Sequence, residues 1–417
     1  MLGAGKEVGR AAILLTLESS GEDILLDYGI AFDDQDRPMF PLHIAPLKLR
    51  AVFITHAHLD HIGATPLFYV SVKPLTVATK LTLATGKIMI EDMIRLSGYY
   101  LPYEYPELSI MLENSKGVDI GETVEIGDIQ VDVLNAGHIP GSCMYRVHLK
   151  DKSVLYTGDI NTIDTKLVRS ADFTGIDAEI LIMESTYGMF NHPPRSRVEE
   201  KFIETLRMVL EDGGSILIPS FSLGRAQEVL ALLADRMPYA NVYYDGMARE
   251  IMDIYLKYGE YINRVDLLKK AYTIFDAIKD YHTRKKICGE PGNIIVAPAG
   301  MLKGGPAAYY IKKLGFNPKN AIVLVSFQSS TTPGRKLLMD GVLEEGGSMV
   351  KAKVFWFDFS SHAGSDDLIK VVKSVKNIEK LMLIHGSEDS AYTIGYRVKE
   401  ELGVEFEVPS NGETITI

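Results

Sequence analysis

One short segment of the chain constrains its fold and chemistry more than any other, and it reads His56-Ala57-His58-Leu59-Asp60-His61. It follows the apolar run 51–54, which is typical of a fully buried strand. Imidazoles and a carboxylate at the end of such a strand are costly unless they bind something. These groups are zinc ligands, and a zinc site without thiolates is more often catalytic than structural. The segment therefore predicts a zinc-dependent hydrolase site.

Composition narrows the class of protein. A chain of 417 residues is too long for one simple core and indicates two domains. No apolar run is long enough for a membrane span, and the first residues lack the apolar core of a signal peptide. The two cysteines, Cys143 and Cys288, lie far apart, which excludes a disulfide framework and indicates a cytoplasmic protein. The net charge of −11 disfavours non-specific nucleic-acid binding but is compatible with a local basic cleft.

Polar residues recur at the ends of the predicted strands. Apolar strands are predicted at 11–17, 24–26, 51–54, 153–157 and 179–183, and a helix is predicted over 75–100. The polar residues that end strands or follow them are Asp27, His56, His138, Asp159 and Glu184. Sheet-based folds assemble sites from side chains at one set of strand ends, so we expect these groups to meet.

The pattern changes at about residue 190. From there to about 358, strands alternate with helices, which predicts a parallel sheet. We therefore expect a first domain in two parts, 1–190 and 359–417, with an α/β domain inserted at 191–358.

The ligand types allow two metal sites that share one carboxylate. His56, His58 and His138 suit one metal, Asp60, His61 and His385 suit a second, and Asp159 can bridge the two. Two cations would make a bridging hydroxide nucleophilic near neutral pH. Asp27 is either a turn residue or a group that orients a metal-binding histidine. For His43, His148, His192 and His282 no metal role is expected, since a lone histidine is more often structural.

The motifs as a set resemble a known family. The segment 56–61, with Asp27, His138 and Asp159, resembles the signature of the metallo-β-lactamase fold. Glu184 in Glu-Ser-Thr-Tyr-Gly, His362 in Phe-Ser-Ser-His-Ala-Gly and His385 in Ile-His-Gly resemble the extra motifs of the β-CASP nucleases. The chain is most similar to the nuclease subunit of the cleavage and polyadenylation specificity factor and to its archaeal relatives.

This resemblance implies a fold and a set of roles. The fold would be α/β: a metallo-β-lactamase αββα sandwich with an inserted β-CASP domain that contains a parallel sheet. Two zinc ions would be bound per chain by the ligands named above, and Asp27 would orient a ligand. His362 would be the general acid, Glu184 would raise its pKa, and Asp60 would be both a ligand and a catalytic residue. A histidine at position 385 resembles the RNA-cutting branch of the family.

The expected function is therefore a zinc-dependent ribonuclease, an endonuclease, a 5′→3′ exonuclease or both, acting on single-stranded RNA. The resemblance also implies a homodimer and a larger RNA-processing assembly. A DNA-repair nuclease, a small-molecule metallo-hydrolase and a metal-free scaffold are the alternatives. Candidate contacts to RNA, each of which could instead be an ordinary turn residue or a solvated charge, are Ser329, Ser330, Ser360, Ser361, Arg225 and Lys303.

Overall fold

The structure is a computed structural model that describes residues 1–17, 21–97 and 100–417. The chain folds as two compact units. The first comprises Met1–Asp164, Arg169–Asn191 and Ser361–Ile417, and the second comprises Thr165–Val168 and His192–Ser360. The domain limits expected from the sequence stay a prediction.

The strands of the described residues lie in both units. In chain order they are β1 Ile13–Thr16, β2 Asp23–Leu26, β3 Ala31–Phe32, β4 Pro38–Met39, β5 Leu49–Phe53, β6 Leu75–Thr79, β7 Ser115–Val118, β8 Thr123–Ile126, β9 Ile129–Asn135, β10 Cys143–His148, β11 Ser153–Tyr156, β12 Ile180–Glu184, β13 Ile216–Pro219, β14 Asn241–Tyr244, β15 Asp276–Ala277, β16 Asn293–Ala297, β17 Ala321–Leu324, β18 Lys353–Trp356, β19 Lys380–Ile384 and β20 Phe406–Glu407.

The α-helices follow the same order. They are α1 Leu59–Ile62, α2 Lys80–Ser97, α3 Tyr105–Glu113, α4 Arg195–Glu211, α5 Arg225–Arg236, α6 Ala248–Lys257, α7 Val265–Ile274, α8 Tyr281–Gly289, α9 Gly305–Leu314, α10 Pro333–Asp340, α11 Ser365–Ser374 and α12 Glu388–Leu402. Across the described ranges, none of the helices is both long enough and apolar enough to cross a membrane.

The first unit has four layers. One sheet has the strand order β1-β2-β5-β6-β7, and the other has the order β20-β19-β12-β11-β10-β9-β8. Alternate side chains of both sheets, such as Leu26, Phe53 and Tyr145, form one core between them. Helices α1 to α3 cover the outer face of the first sheet, and α11 and α12 cover that of the second. The predicted αββα sandwich is confirmed.

The second unit is built on one six-stranded sheet in the order β15-β14-β16-β13-β17-β18. Every neighbouring pair in this sheet is parallel, as the alternation of strands and helices predicted. Its strands are buried apolar runs, such as Ile216–Pro219 and Ala321–Leu324, because helices pack on both faces.

The helix predicted over 75–100 is wrong at its start. Residues Leu75–Thr79 form strand β6, which pairs with β5 and β7, and helix α2 begins only at Lys80. The run Leu-Thr-Val-Ala-Thr contains β-branched residues that suit a buried central strand, and pairing on both sides outweighs the apolar periodicity of the following residues. Gly98 and Tyr99, at the end of the predicted helix, lie outside the described residues.

Candidate active site

Three histidines at the ends of two strands face one another. Strand β5 leads directly to His56 and His58, and strand β9 leads to His138. His58 Nδ1 lies 3.0 Å from His56 Nε2 and 3.2 Å from His138 Nε2. The group formed by these three rings and Asp159, which we call the first cluster, has its ligand atoms within 4.8 Å of one another.

Hydrogen bonds hold the first cluster in place. His138 Nδ1 lies 2.8 Å from the carbonyl oxygen of Ser361, so Nδ1 carries the hydrogen and Nε2 presents its lone pair. The hydroxyl of Ser142 accepts from the backbone N–H of His138 at 3.1 Å. Thr55 Oγ1 lies 3.0 Å from His56 Nδ1 and fixes that ring in the same way. The ring nitrogens turned towards the cluster are therefore set up as acceptors.

The three imidazoles of the first cluster are kept neutral by their surroundings. Burial lowers the pKa of His56 and of His138 well below the usual imidazole value. Burial also lowers the pKa of His58 to about 4. An unprotonated imidazole is the form that binds a metal, so these three rings are ready to act as ligands.

A second cluster consists of Asp60, His61 and His385. Asp60 and His61 lie on the short helix α1, and His385 follows strand β19. His385 Nε2 lies 3.4 Å from Asp60 Oδ2. Gly29 makes room for this arrangement, since a Cβ there would lie 1.7 Å from the carbonyl oxygen of Asp60.

Asp159 lies between the two clusters. Its Oδ2 is 3.7 Å from the Nε2 atoms of His56 and His138 and 3.4 Å from that of His61. Its Oδ1 is 3.3 Å from His385 Nδ1. Burial acts to raise the pKa of Asp159, but His385 and His61 outweigh burial and hold the pKa well below its usual range. The group is therefore a carboxylate that reaches both clusters.

Asp27 is completely buried behind His61. Its Oδ2 lies 2.7 Å from His61 Nδ1, and it accepts hydrogen bonds from the hydroxyls of Tyr156 at 2.7 Å and Thr55 at 2.8 Å. Its backbone is left-handed, with φ +57°, so the side chain turns back towards the histidine. Asp27 therefore fixes the His61 ring and leaves Nε2 directed at the cluster.

The donor set fits a metal. Within the described part of the chain, His61 Nε2, His385 Nε2 and Asp159 Oδ1 are buried and make no hydrogen bond, although each lies 3.3 to 3.4 Å from a group of opposite charge. Buried polar atoms without partners are rare, because each one costs its full desolvation energy. Nitrogen and oxygen donors without sulfur are the ligands of catalytic zinc. A cation in each cluster would satisfy these atoms.

The second cluster would lose protons when it binds a metal. Burial acts to lower the pKa of His61, but the charges of Asp159 and Asp27 outweigh it and raise the pKa. Burial likewise opposes charge on His385, and the charges of Asp159 and Asp60 raise its pKa. Since a protonated nitrogen cannot bind zinc, zinc displaces these protons.

His362 and Glu184 form a pair beside the first cluster. His362 Nδ1 lies 3.0 Å from Glu184 Oε1 and 2.9 Å from Oε2, and the rings of His362 and His138 are 4.6 Å apart. Burial acts to lower the pKa of His362, but the carboxylates of Glu184 and Asp159 outweigh it and raise the pKa to about 9. In the absence of cations, this imidazole is protonated at neutral pH.

The expected RNA contacts are distributed between the two units. Ser361 belongs to the first unit, where its carbonyl oxygen holds His138. The others belong to the second unit. There, Lys303 and Ser330 are exposed, Ser329 is half-buried, and Arg225 begins helix α5. Their roles as RNA contacts stay a prediction.

Sequence reasoning missed the hydroxyls that support the site. Thr55 and Tyr156 bind Asp27, and Thr186 Oγ1 donates to the carbonyl oxygen of His385 at 2.9 Å. Two of these hydroxyls could have been found from the sequence, because Thr55 directly precedes His56 and Thr186 belongs to the same motif as Glu184. Tyr156 had none, since an apolar strand ending in tyrosine is common.

Comparisons with family models match three parts of the chain. The metallo-beta-lactamase superfamily matches residues 7–220, the Beta-Casp domain matches residues 226–337, and the Zn-dependent metallo-hydrolase RNA specificity domain matches residues 347–409. A solved structure from Enterococcus faecalis, of a protein of unknown function, has a TM-score of 0.61 and 15% sequence identity. It covers 100% of this chain and 98% of its own, and it shows likeness of fold alone.

Curated relatives match over the full length of the chain. A protein of Saccharolobus solfataricus named RNase aCSPSF2 is 48% identical over 100% of this chain and 85% of its own length. A probable RNase of Methanocaldococcus jannaschii, MJ4, is 36% identical over 100% of this chain and 99% of its own. A transcription termination factor of Pyrococcus abyssi, FttA, is 32% identical over 100% of this chain and 70% of its own length. The family resemblance read from the sequence is confirmed: the chain belongs to the β-CASP ribonucleases of the metallo-β-lactamase superfamily.

Proposed function

We propose that this chain hydrolyses phosphodiester bonds of single-stranded RNA with two zinc ions and His362 as general acid. The observation that carries the proposal is the pair of His362 and Glu184, which lies beside two clusters of metal-ligating side chains. A thioesterase has no need of a charged acid next to its metal ligands, because a thiolate leaves without being protonated. Cleavage of a phosphodiester needs one, because the leaving oxygen must be protonated.

The proposed ligands are those of the two clusters. His56, His58 and His138 would hold one zinc, the second cluster would hold the other, and Asp159 would touch both. Zinc supplies a Lewis acid that depresses the pKa of water and neutralises the charge of a phosphate. The buried atoms without hydrogen bonds and the neutral imidazoles of the first cluster support this assignment.

His362 would move the proton. Its Nδ1 faces Glu184, so the proton passed to the leaving oxygen comes from Nε2. Glu184 is itself held by the backbone N–H of Ile160, which donates to Oε1 at 2.7 Å. The carboxylate thus fixes the tautomer and the orientation of the ring and stabilises the imidazolium before the proton is transferred. Asp60, as a ligand beside His385, would help to hold the attacking water.

The test is a time course on RNA labelled at either end, with the zinc-loaded chain and with a chelator-treated sample. Internal products would identify an endonuclease, and a ladder from the 5′ end would identify a 5′→3′ exonuclease; we propose one or both activities. The proposal would be refuted if the zinc-loaded chain gave neither kind of product, or if the chelator-treated sample gave as much product as the zinc-loaded one. A DNA strand of the same sequence is the matched substrate, and equal or faster cleavage of DNA would place the chain among DNA nucleases instead.

The names of the relatives support RNA as the substrate, since two of them are called RNases. A homodimer and a larger RNA-processing assembly stay predictions. Sedimentation of the purified chain would test the first, and capture of partners on the full chain would test the second.

A further inference from the structure

An exposed tryptophan stands at the edge of the sheet in the second unit. Trp356 is the last residue of β18, the edge strand, and 50% of its surface is exposed. Its Nε1 donates to the carbonyl oxygen of Ser326 at 3.3 Å. The ring is therefore tied to the backbone at the end of the neighbouring strand β17, while about half of its surface stays open to solvent.

The loop that follows β17, to which the Trp356 ring is bonded, is itself fixed by hydrogen bonds. The amide nitrogen of Gln328 donates to the carbonyl oxygens of Ser326 and Gly300, each at 3.0 Å. A Cβ on Gly300 would lie 3.0 Å from Phe221 N and from Ser326 Oγ. The loops that follow β13, β16 and β17 therefore meet at close quarters. A ring tied to such a loop loses little conformational entropy when it stacks on a ligand.

A second exposed aromatic side chain lies in the loop to which Trp356 is hydrogen-bonded. Phe327 follows Ser326 directly and is 61% exposed. Exposed large aromatics cost hydration free energy. Phe327, next to the residue that Trp356 binds, and Trp356 itself indicate a surface that is covered by something flat and apolar. The loop follows the carboxyl end of β17, and α/β proteins place their ligands at this end of parallel strands.

The stretch that contains Ser326 and Phe327 is basic although the chain as a whole is acidic. Between Pro291 and Met339 there is no Asp or Glu, whereas the net charge of the chain is −11. Of the cations in this stretch, Lys303 lies between the end of β16 and the start of α9, and Arg335 and Lys336 lie in the first turn of α10, which follows β17. Helix α10, which carries Arg335 and Lys336, packs against β18. The full set of cations in the stretch is Lys303, Lys312, Lys313, Lys319, Arg335 and Lys336.

From these observations we infer that Trp356 and Phe327 form a stacking platform for unpaired bases of RNA. Base stacking on aromatic rings together with a basic surround is how proteins hold single-stranded nucleic acid without reading its sequence. A protein partner would more often need an apolar surface without a basic rim, and double-stranded RNA offers no open base to stack. The inference rests on the proposed function for its substrate and adds where in the second unit that substrate is held.

Trp356 is the only tryptophan of the chain, so its fluorescence reports on the platform alone. We expect a single-stranded oligouridylate to quench this fluorescence in the zinc-loaded His362→Ala protein, where cleavage is slow. Blunt duplex RNA of the same length should quench far less. No quenching by the single strand, or equal quenching by the duplex, would overturn the inference.

Affinity provides a second measurement that does not depend on His362→Ala. Trp356→Ala should weaken binding of a fluorescein-labelled oligouridylate by about tenfold or more, and Trp356→Phe should restore most of the affinity. Phe316→Ala is the matched control, since Phe316 is 52% exposed but lies before β17, at the opposite end of the strand. Equal affinity of Trp356→Ala and wild type would refute the platform. If RNA quenches the fluorescence of His362→Ala but the wild type does not cleave RNA, the nuclease proposal is refuted and the platform stands. If the wild type cleaves RNA but no quenching is seen, the platform is refuted and the nuclease proposal stands.

Discussion

Glu184 holds His362 with both of its carboxylate oxygens, at 3.0 and 2.9 Å from Nδ1. The two residues are 178 positions apart and come from different segments of the first unit. Glu184 ends strand β12, where it is paired with Ile384 of β19, so the carboxylate and His385 leave the sheet side by side. The carboxylate that holds the proposed acid and the proposed ligand His385 are thus placed by the same pair of strands.

The first prediction concerns the pH dependence of Glu184→Gln. The active form of His362 is protonated, so activity is present below its pKa and is lost as pH rises through it. In the wild type this alkaline limb is expected at or below about pH 9, because bound cations lower the pKa of a nearby acid. Glutamine carries no charge to stabilise the imidazolium, so the pKa falls and the limb moves to lower pH. Initial rates of RNA cleavage between pH 6 and 9, roughly spanning the imidazole range, would measure the shift.

Two controls separate this effect from damage to the metal site. Glu184→Gln should retain the wild-type zinc content, measured by atomic absorption. His362→Ala should lose the alkaline limb and about 100-fold in rate. An alkaline limb at the same pH in Glu184→Gln and wild type would contradict the role of Glu184.

The second prediction concerns removal of the metal. Without a cation the second cluster keeps protons on His61 and His385 and leaves buried atoms without partners. Zinc at about 100 times its dissociation constant should stabilise the fold by about 2.7 kcal/mol. We expect a chelator to lower Tm and zinc to restore it with release of protons, which a weakly buffered pH-indicator assay would detect. Zinc binding that leaves both Tm and pH unchanged would contradict this account of the clusters.

The third prediction concerns Asp27→Asn. Asparagine tolerates the left-handed backbone at this position, so the chain path is preserved. The amide lacks the charge that fixes the His61 ring, and zinc affinity should fall by about 10 to 100-fold. Competition with a chromophoric chelator would measure this. Tyr156→Phe, which removes one hydrogen bond but keeps the carboxylate, should have a smaller effect; equal losses in the two variants would assign the effect to packing.

The fourth prediction concerns stability of the second unit. Asp245 is fully buried, and Arg284 binds it with Nε and Nη2 at 2.6 and 2.9 Å, while Tyr310 donates to it at 2.7 Å. Arg284→Ala leaves a buried carboxylate without its cation and should cost about 3 kcal/mol of unfolding free energy. Denaturant titration would measure it. Lys286→Ala, on the same helix but exposed, should change stability by less than about 0.5 kcal/mol.

The sequence allowed much of the site to be predicted because several of its residues are neighbours. His56, His58, Asp60 and His61 lie within one short segment, so their shared chemistry is visible without a structure. His362 could not be found by spacing, since it lies beyond the whole second unit, and only the resemblance indicated it. The hydroxyls that hold Asp27 left no pattern, because one hydrogen bond between distant residues does not alter local periodicity.

For the fold too, features set by local sequence patterns could be predicted, and features set by contacts between distant residues could not. The parallel sheet of the second unit was predicted from the repeated alternation of strands and helices. Strand β6 was missed because its apolar residues run into those of α2 without a turn between them, and pairing with β5 and β7 decides its conformation. Likewise, the pairing of Asp245 with Arg284 depends on tertiary contact alone.

The interrupted course of the first unit has a consequence during synthesis of the protein. Translation delivers His56 and Asp159 early, whereas His362 and His385 leave the ribosome only after the second unit has been made. The backbone N–H of His385 then donates to the carbonyl oxygen of Ala4 at 2.8 Å, so a residue made after the second unit is held by one made long before it. Until then, a nascent chain lacks both the proposed acid and one of the proposed ligands, so the proposed site cannot be assembled before the second unit has been made.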